Sequence, residues 1–103
     1  MKLAFVIIPH FVKGISTRQL IKNIIGIFFK EFGGCTHYKV HGVWNDKEVS
    51  EEPIECEKIE VAVRDYRTNK FLEIAETFAM VAGVEELMIQ HPDGTIMFLK
   101  GAK

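Results

Sequence analysis

Leu3-Ala4-Phe5-Val6-Ile7-Ile8, closed by Pro9, is the stretch that decides the fold. Six apolar residues in a row are strand length rather than helix length, three of them are β-branched, and proline ends the run. A strand that is apolar at both parities belongs in the middle of a sheet, with both faces covered. The next apolar segment offers one cover. Leu20, Ile21, Ile24, Ile25, Ile27, Phe28, Phe29 and Phe32 recur at helical spacings and fill an arc of about 200°, with Lys22, Asn23, Gly26 and Lys30 opposite. Ser16-Thr17-Arg18-Gln19 reads as a capping box with Ser16 as N-cap, and Gly33-Gly34 as a left-handed stop. A helix is therefore expected over 17–32.

Farther along, Cys35 to Trp44 alternates loosely and reads as a strand that the polar segment from Asn45 to Glu52 breaks. The strand expected from Pro53 to Asp65 has Ile54 and Cys56 at one parity and Ile59, Val61 and Val63 at the other. A β-bulge near Glu57-Lys58 would bring all five to one face. A second helix is expected over 70–82, capped by Thr68 or Asn69, with Phe71, Ile74, Ala75, Phe78 and Ala82 as its buried stripe and Gly83 as its stop. Residues 86–90 and 95–100, joined by the turn Pro92-Asp93-Gly94, form a hairpin. The order β-α-β-β-α-β in one domain spanning 1–103 leads to an α+β, ferredoxin-like fold. It has an antiparallel sheet, two helices on one face and a short C-terminal β-hairpin. Such a fold carries no function by itself.

Composition narrows the classes further. The 103 residues are 48% apolar and 26% charged, which excludes a disordered tail. Two cysteines cannot make a disulfide scaffold. Thirteen basic against fourteen acidic residues remove the bulk electrostatic argument for nucleic-acid binding. The charge is nonetheless segregated: residues 1–44 carry a net +5, 45–57 a net −5 and 58–103 a net −1. The N-terminal apolar run is too short for a signal-peptide core, and Lys22, Lys30 and Glu31 interrupt the second one. The expectation is a cytoplasmic chain with reduced thiols and no membrane association.

Phe32-Gly33-Gly34-Cys35-Thr36, then Gly42-Val43-Trp44, an acidic loop, and Glu52-Pro53 before a Val/Ile strand form a connected set of short motifs. Over roughly residues 20–65 this resembles a group of small uncharacterised bacterial and phage proteins in which a helix ends in Phe-Gly-Gly and a Gly-x-Trp strand leads into a hairpin. The resemblance implies the ferredoxin-like arrangement and brings no activity.

The candidate binding residues are His10, His37, Tyr38, His41 and Trp44. His10 sits just past a strand end, where an imidazole with Tyr38 or His41 would make an acid/base pair. His37 and His41 are four apart, which spans ~13 Å on a strand and is too far for one metal. Cys35 and His37 share a face, but no third ligand is evident, so neither a metal nor another cofactor is expected. Cys35 follows a helix C-terminus, whose dipole opposes thiolate formation. Trp44 stands beside a polar loop, where its ring can stack on a planar ligand or anchor an interface. With no catalytic constellation and a surplus of apolar surface, the first expectation is a non-catalytic module. It would form a homodimer or higher homo-oligomer and bind a protein or small ligand through the open sheet face or the 44–55 loop. The alternatives are a small dimeric enzyme using His10, and a nucleotide binder stacking on Trp44.

Overall fold

The computed structural model describes residues 1–42 and 53–101. Its centre is β1 (Lys2–Pro9). A small hairpin follows, β2 (Phe11–Val12) and β3 (Ile15–Ser16), then helix α1 (Arg18–Phe32) and strand β4 (Thr36–Gly42). Next come β5 (Ile54–Val63), a 3-10 turn (Asp65–Arg67), helix α2 (Thr68–Ala82), β6 (Glu86–Gln90) and β7 (Ile96–Lys100). The main sheet runs β4-β5-β1-β6-β7, and every neighbouring pair is antiparallel. The molecule is thus a mixed α+β domain with an antiparallel sheet and two helices.

Register explains the core. Val6 lies opposite Ile59 on one side and Ile89 on the other, and Ala4 opposite Val61. These side chains share one buried cluster with Ile8, Val63 and Leu87 of the sheet, Ile21, Ile24 and Phe28 of α1, and Phe71, Ile74 and Phe78 of α2. Phe28 stacks on Phe71 with centroids 5.9 Å apart and meets the edge of Phe32 at 5.8 Å. The odd residues of β1 turn to the other face, where the Lys58 ammonium sits 4.2 Å from the centre of the Phe5 ring.

Three local expectations change, and one of them is the cap of α2, which is Arg67 rather than Thr68 or Asn69. The β-bulge near Glu57-Lys58 is absent: pairing with β1 runs without interruption from Lys2↔Val63 to Pro9↔Cys56, and pairing with β4 is equally regular. Cys56 is fully buried, but at the parity of Lys58 on the face away from the helices, while Glu55 and Glu57 take the helix-side parity of Ile59. The cap of α1 is Thr17, not Ser16, and it makes no side-chain capping bond. The Thr17 hydroxyl instead donates to the Pro9 carbonyl, while Ser16 Oγ accepts from the Arg18 N–H at 3.2 Å and Gln19 donates to Asn23. The hairpin over 11–16, which the sequence pattern did not suggest, turns on Lys13 and Gly14, both with positive φ (51° and 78°), as a two-residue loop of the primed type requires. No helix of the described residues is long and apolar enough to cross a membrane.

Phe71 is fully buried against Phe28 at the junction of the two helices. Phe71→Ala is expected to lower unfolding free energy by about 3–5 kcal/mol in urea denaturation, through lost burial and the cavity left behind.

Candidate functional site

His10 is held by its backbone from both sides. Its N–H donates to the Glu55 carbonyl at 2.9 Å, and its own carbonyl accepts from the Thr17 N–H at 2.9 Å. These bonds tie the end of β1 to the start of β5 and to the entry of α1, which fixes where the imidazole emerges. Nδ1 lies 2.6 Å from Glu55 Oε1 and Nε2 lies 2.9 Å from Glu57 Oε1. The second Glu57 oxygen lies 2.6 Å from His37 Nδ1, reached from β4. Lys39 Nζ closes the row at 3.3 Å from Glu55 Oε1. Carboxylates only accept, so His10 makes both contacts as hydrogen bonds when each ring nitrogen carries a proton.

The electrostatics follow from these contacts. Burial disfavours the charge on Glu57, whose side chain is 13% exposed, but the hydrogen bonds from His37 and His10 outweigh it and hold the carboxyl below its ordinary range. Glu55 is held low chiefly by the hydrogen bond from His10 and then by that from Lys39. The result is a chain of alternating acid and base, His37–Glu57–His10–Glu55–Lys39, built at one end of the sheet. Imidazoles and carboxylates side by side present both donors and acceptors, so the arrangement is suited to binding polar groups.

Of the five residues singled out in the sequence, His10 and His37 meet here through Glu57. His41 lies opposite Glu55 at the same parity and is exposed. Tyr38 does not join His10: it pairs opposite Lys58, on the other face, with the Lys58 ammonium 5.9 Å from its ring. Trp44 lies outside the described residues, as does most of the acidic loop that follows it. Cys35 points to the Ile25 carbonyl at 3.9 Å rather than to His37, and burial pushes its thiol up. The Cys56 thiol is also raised, first by burial and then by the charge of Glu55. Among the described residues no three His, Cys, Asp or Glu side chains are grouped to hold a metal ion. The partners that sequence reading missed are Glu55 and Glu57. Their signal was parity: without a bulge, they continue the row of Ile59, Val61 and Val63 and stand beside the end of β1.

The sequence matches no family model and no curated protein. Among solved structures, a phage SAM lyase in complex with S-methyl-5'-thioadenosine superposes with a TM-score of 0.69, over 95% of this chain and 88% of that chain, at 12% identity. At this identity the likeness shows the fold: a small α+β arrangement of antiparallel sheet and two helices.

Because Glu57 is held low, its charge contributes stability that is complete above the ordinary glutamate range, near pH 4.3, and is lost as pH falls through the depressed value. Glu57→Gln is therefore expected to cost about 1–2 kcal/mol at pH 7. The gap between variant and parent should close on acidification. Urea midpoints measured from neutral to acid pH check this; a gap that stays constant contradicts it.

Proposed function

We propose that this chain is a ferredoxin-like, homo-oligomeric binding module that associates through the helix-free face of its sheet and takes a small polar ligand at the His10–Glu57–His37 cluster. The strand order β4-β5-β1-β6, with both helices sharing one core, supports the split β-α-β assignment, to which β7 adds an edge strand.

The observation that carries the reading is the helix-free face. Leu3, Tyr38, Ile96 and Phe98 are 41–51% exposed there, and Phe5, Ile7 and Met88 lie at the same parity between them. A contiguous apolar surface of this kind marks an interaction site, and a two-fold pairing of like faces is the commonest way to cover one. Lys58 and Glu60, 3.6 Å apart on that face, are part-buried and mutually neutralised, so they set no repulsion against a second copy.

A second reading is favoured by a separate observation. His10, with a carboxylate at each ring nitrogen, has the form of an acid/base group, so the cluster can act as a small enzyme's proton-transfer site. Its partner in that role is Glu57 instead of Tyr38. One solved structure with a similar fold is a phage SAM lyase in complex with S-methyl-5'-thioadenosine, which makes that nucleoside thioether the first small ligand to offer.

Sedimentation velocity at micromolar concentration is expected to show a dimer or larger species, and Phe98→Glu or Leu3→Glu to shift it to monomer with the fold retained by circular dichroism. A parent chain that stays monomeric at high micromolar concentration overturns the oligomer. Calorimetric titration with S-methyl-5'-thioadenosine separates the ligand readings. Binding that His10→Ala or Glu57→Gln abolishes supports the cluster as the site, and turnover of an offered nucleoside thioether or sulfonium would favour the enzyme.

A further inference from the structure

We propose that the groove between α1 and α2, on the outer side of the helix layer, docks an acidic amphipathic helix from a partner protein. This surface shares no lining residue with the sheet face or with the histidine–carboxylate cluster, so the inference stands apart from the function proposed above.

The groove is an open hollow of about 620 Å³. Its walls are apolar, formed by Leu20 and Ile27 of α1 and Phe78 and Val81 of α2, and Val81 is 65% exposed. Lys22 and Lys30 stand along one rim, eight residues and so ~12 Å apart on the helix. Beyond Leu20 and Val81 a second hollow continues the trough toward Lys13 and Ile15, the latter 72% exposed. Among the described residues no carboxylate lines either hollow. An apolar floor with a one-signed basic rim is complementary to a helix with apolar anchors at i, i+3, i+4 and i+7 flanked by acids.

Gly26 provides a separate argument. It lies between Lys22 and Lys30 on the same row of α1, and a Cβ built on it meets nothing within 4 Å. Neither a positive φ nor a close neighbour within this chain requires glycine there. Glycine inside a helix weakens it relative to alanine. What it does provide is bare backbone at the middle of the groove, where a second helix can approach closely. The other occupants fit less well. Two copies pairing here would bring two sets of groove lysines together, and among the described residues no carboxylate lines the groove. A nucleic-acid backbone has no use for four aliphatic and aromatic walls, and a planar membrane does not enter a trough.

The test uses the full chain and a labelled synthetic peptide of about sixteen residues, helical, with leucines on one face and glutamates on the rest. Fluorescence anisotropy and amide NMR shifts are the readouts. Expected are micromolar binding, shifts concentrated over Leu20–Lys30 and Thr77–Val81, and a ~tenfold or greater loss of affinity in the Lys22→Glu, Lys30→Glu double variant. Gly26→Leu should also weaken binding, while Gly26→Ala should raise Tm by about 4 °C. Phe98→Glu, on the opposite face, should leave peptide binding intact whether or not it dissolves an oligomer. The proposal is overturned by absence of binding, by binding indifferent to the double lysine variant, or by oligothymidine or phosphatidylglycerol vesicles competing at the same residues with greater affinity than the peptide.

Discussion

β1 is paired with β5 along its full length, from Lys2 to Pro9, and with β6 through Phe5–Ile7. With neighbours on both sides, its backbone is satisfied by the sheet, and its side chains must divide between two faces. Ala4, Val6 and Ile8 form the floor on which both helices pack; Leu3, Phe5 and Ile7 are left to the other side. The helices share a face because the two crossovers leave antiparallel strands, β1 and β5, and travel in opposite directions across the sheet. The same hand of connection then places both on one side. An apolar central strand thus makes a one-sided helix layer and an apolar opposite face together.

That opposite face is only partly protected within the chain. Lys58 lays its ammonium over Phe5, so that Phe5 is 8% exposed, yet Leu3 and Phe98 remain about half exposed at 50% and 51%. A cation over a ring is worth roughly 0.5–2 kcal/mol and shields one side chain. It does not cover a five-stranded sheet. Covering the rest requires a surface of similar size, which is why self-association is the physical core of the functional proposal rather than an addition to it.

Much of the frame was legible from residue patterns, because the signals were long and redundant. The helix expected over 17–32 is Arg18–Phe32, the second, expected over 70–82, is Thr68–Ala82, and the hairpin around Pro92-Asp93-Gly94 occupies Glu86–Lys100. The shorter signals misled. Ser16-x-x-Gln19 matches a capping box, but the chain enters α1 from a tight hairpin, and Thr17 is drawn to Pro9 instead. The change of parity in β5 implies a bulge only on the assumption of one buried face. Both faces of this sheet want apolar groups, so Ile54 and Cys56 serve the far face while Glu55 and Glu57 stand on the near one. The polar site was hidden by the same assumption. His10 was conspicuous after Pro9, but its partners are 45 and 47 residues away and come to it only through the strand register.

The parity change is also what lets one strand serve two purposes. Along the helix-side row of β5, Val63, Val61 and Ile59 are buried at 0–1% exposure, and the next two positions are Glu57 and Glu55. A carboxylate within the core would carry a large desolvation cost unless paired. At the strand end, Glu57 is enclosed enough to feel that cost, and it is offset by two imidazoles drawn from different elements, His10 after β1 and His37 on β4. The cluster therefore also joins three strands at the end of the sheet from which the chain departs into α1. Any ligand that competes for Glu57 must replace those two hydrogen bonds with contacts of similar strength. Glu55, 46% exposed and bonded from one side by His10 and Lys39, keeps accepting capacity toward solvent. The two carboxylates thus differ in setting: Glu57 holds two imidazoles in place, while Glu55 stands more open to solvent.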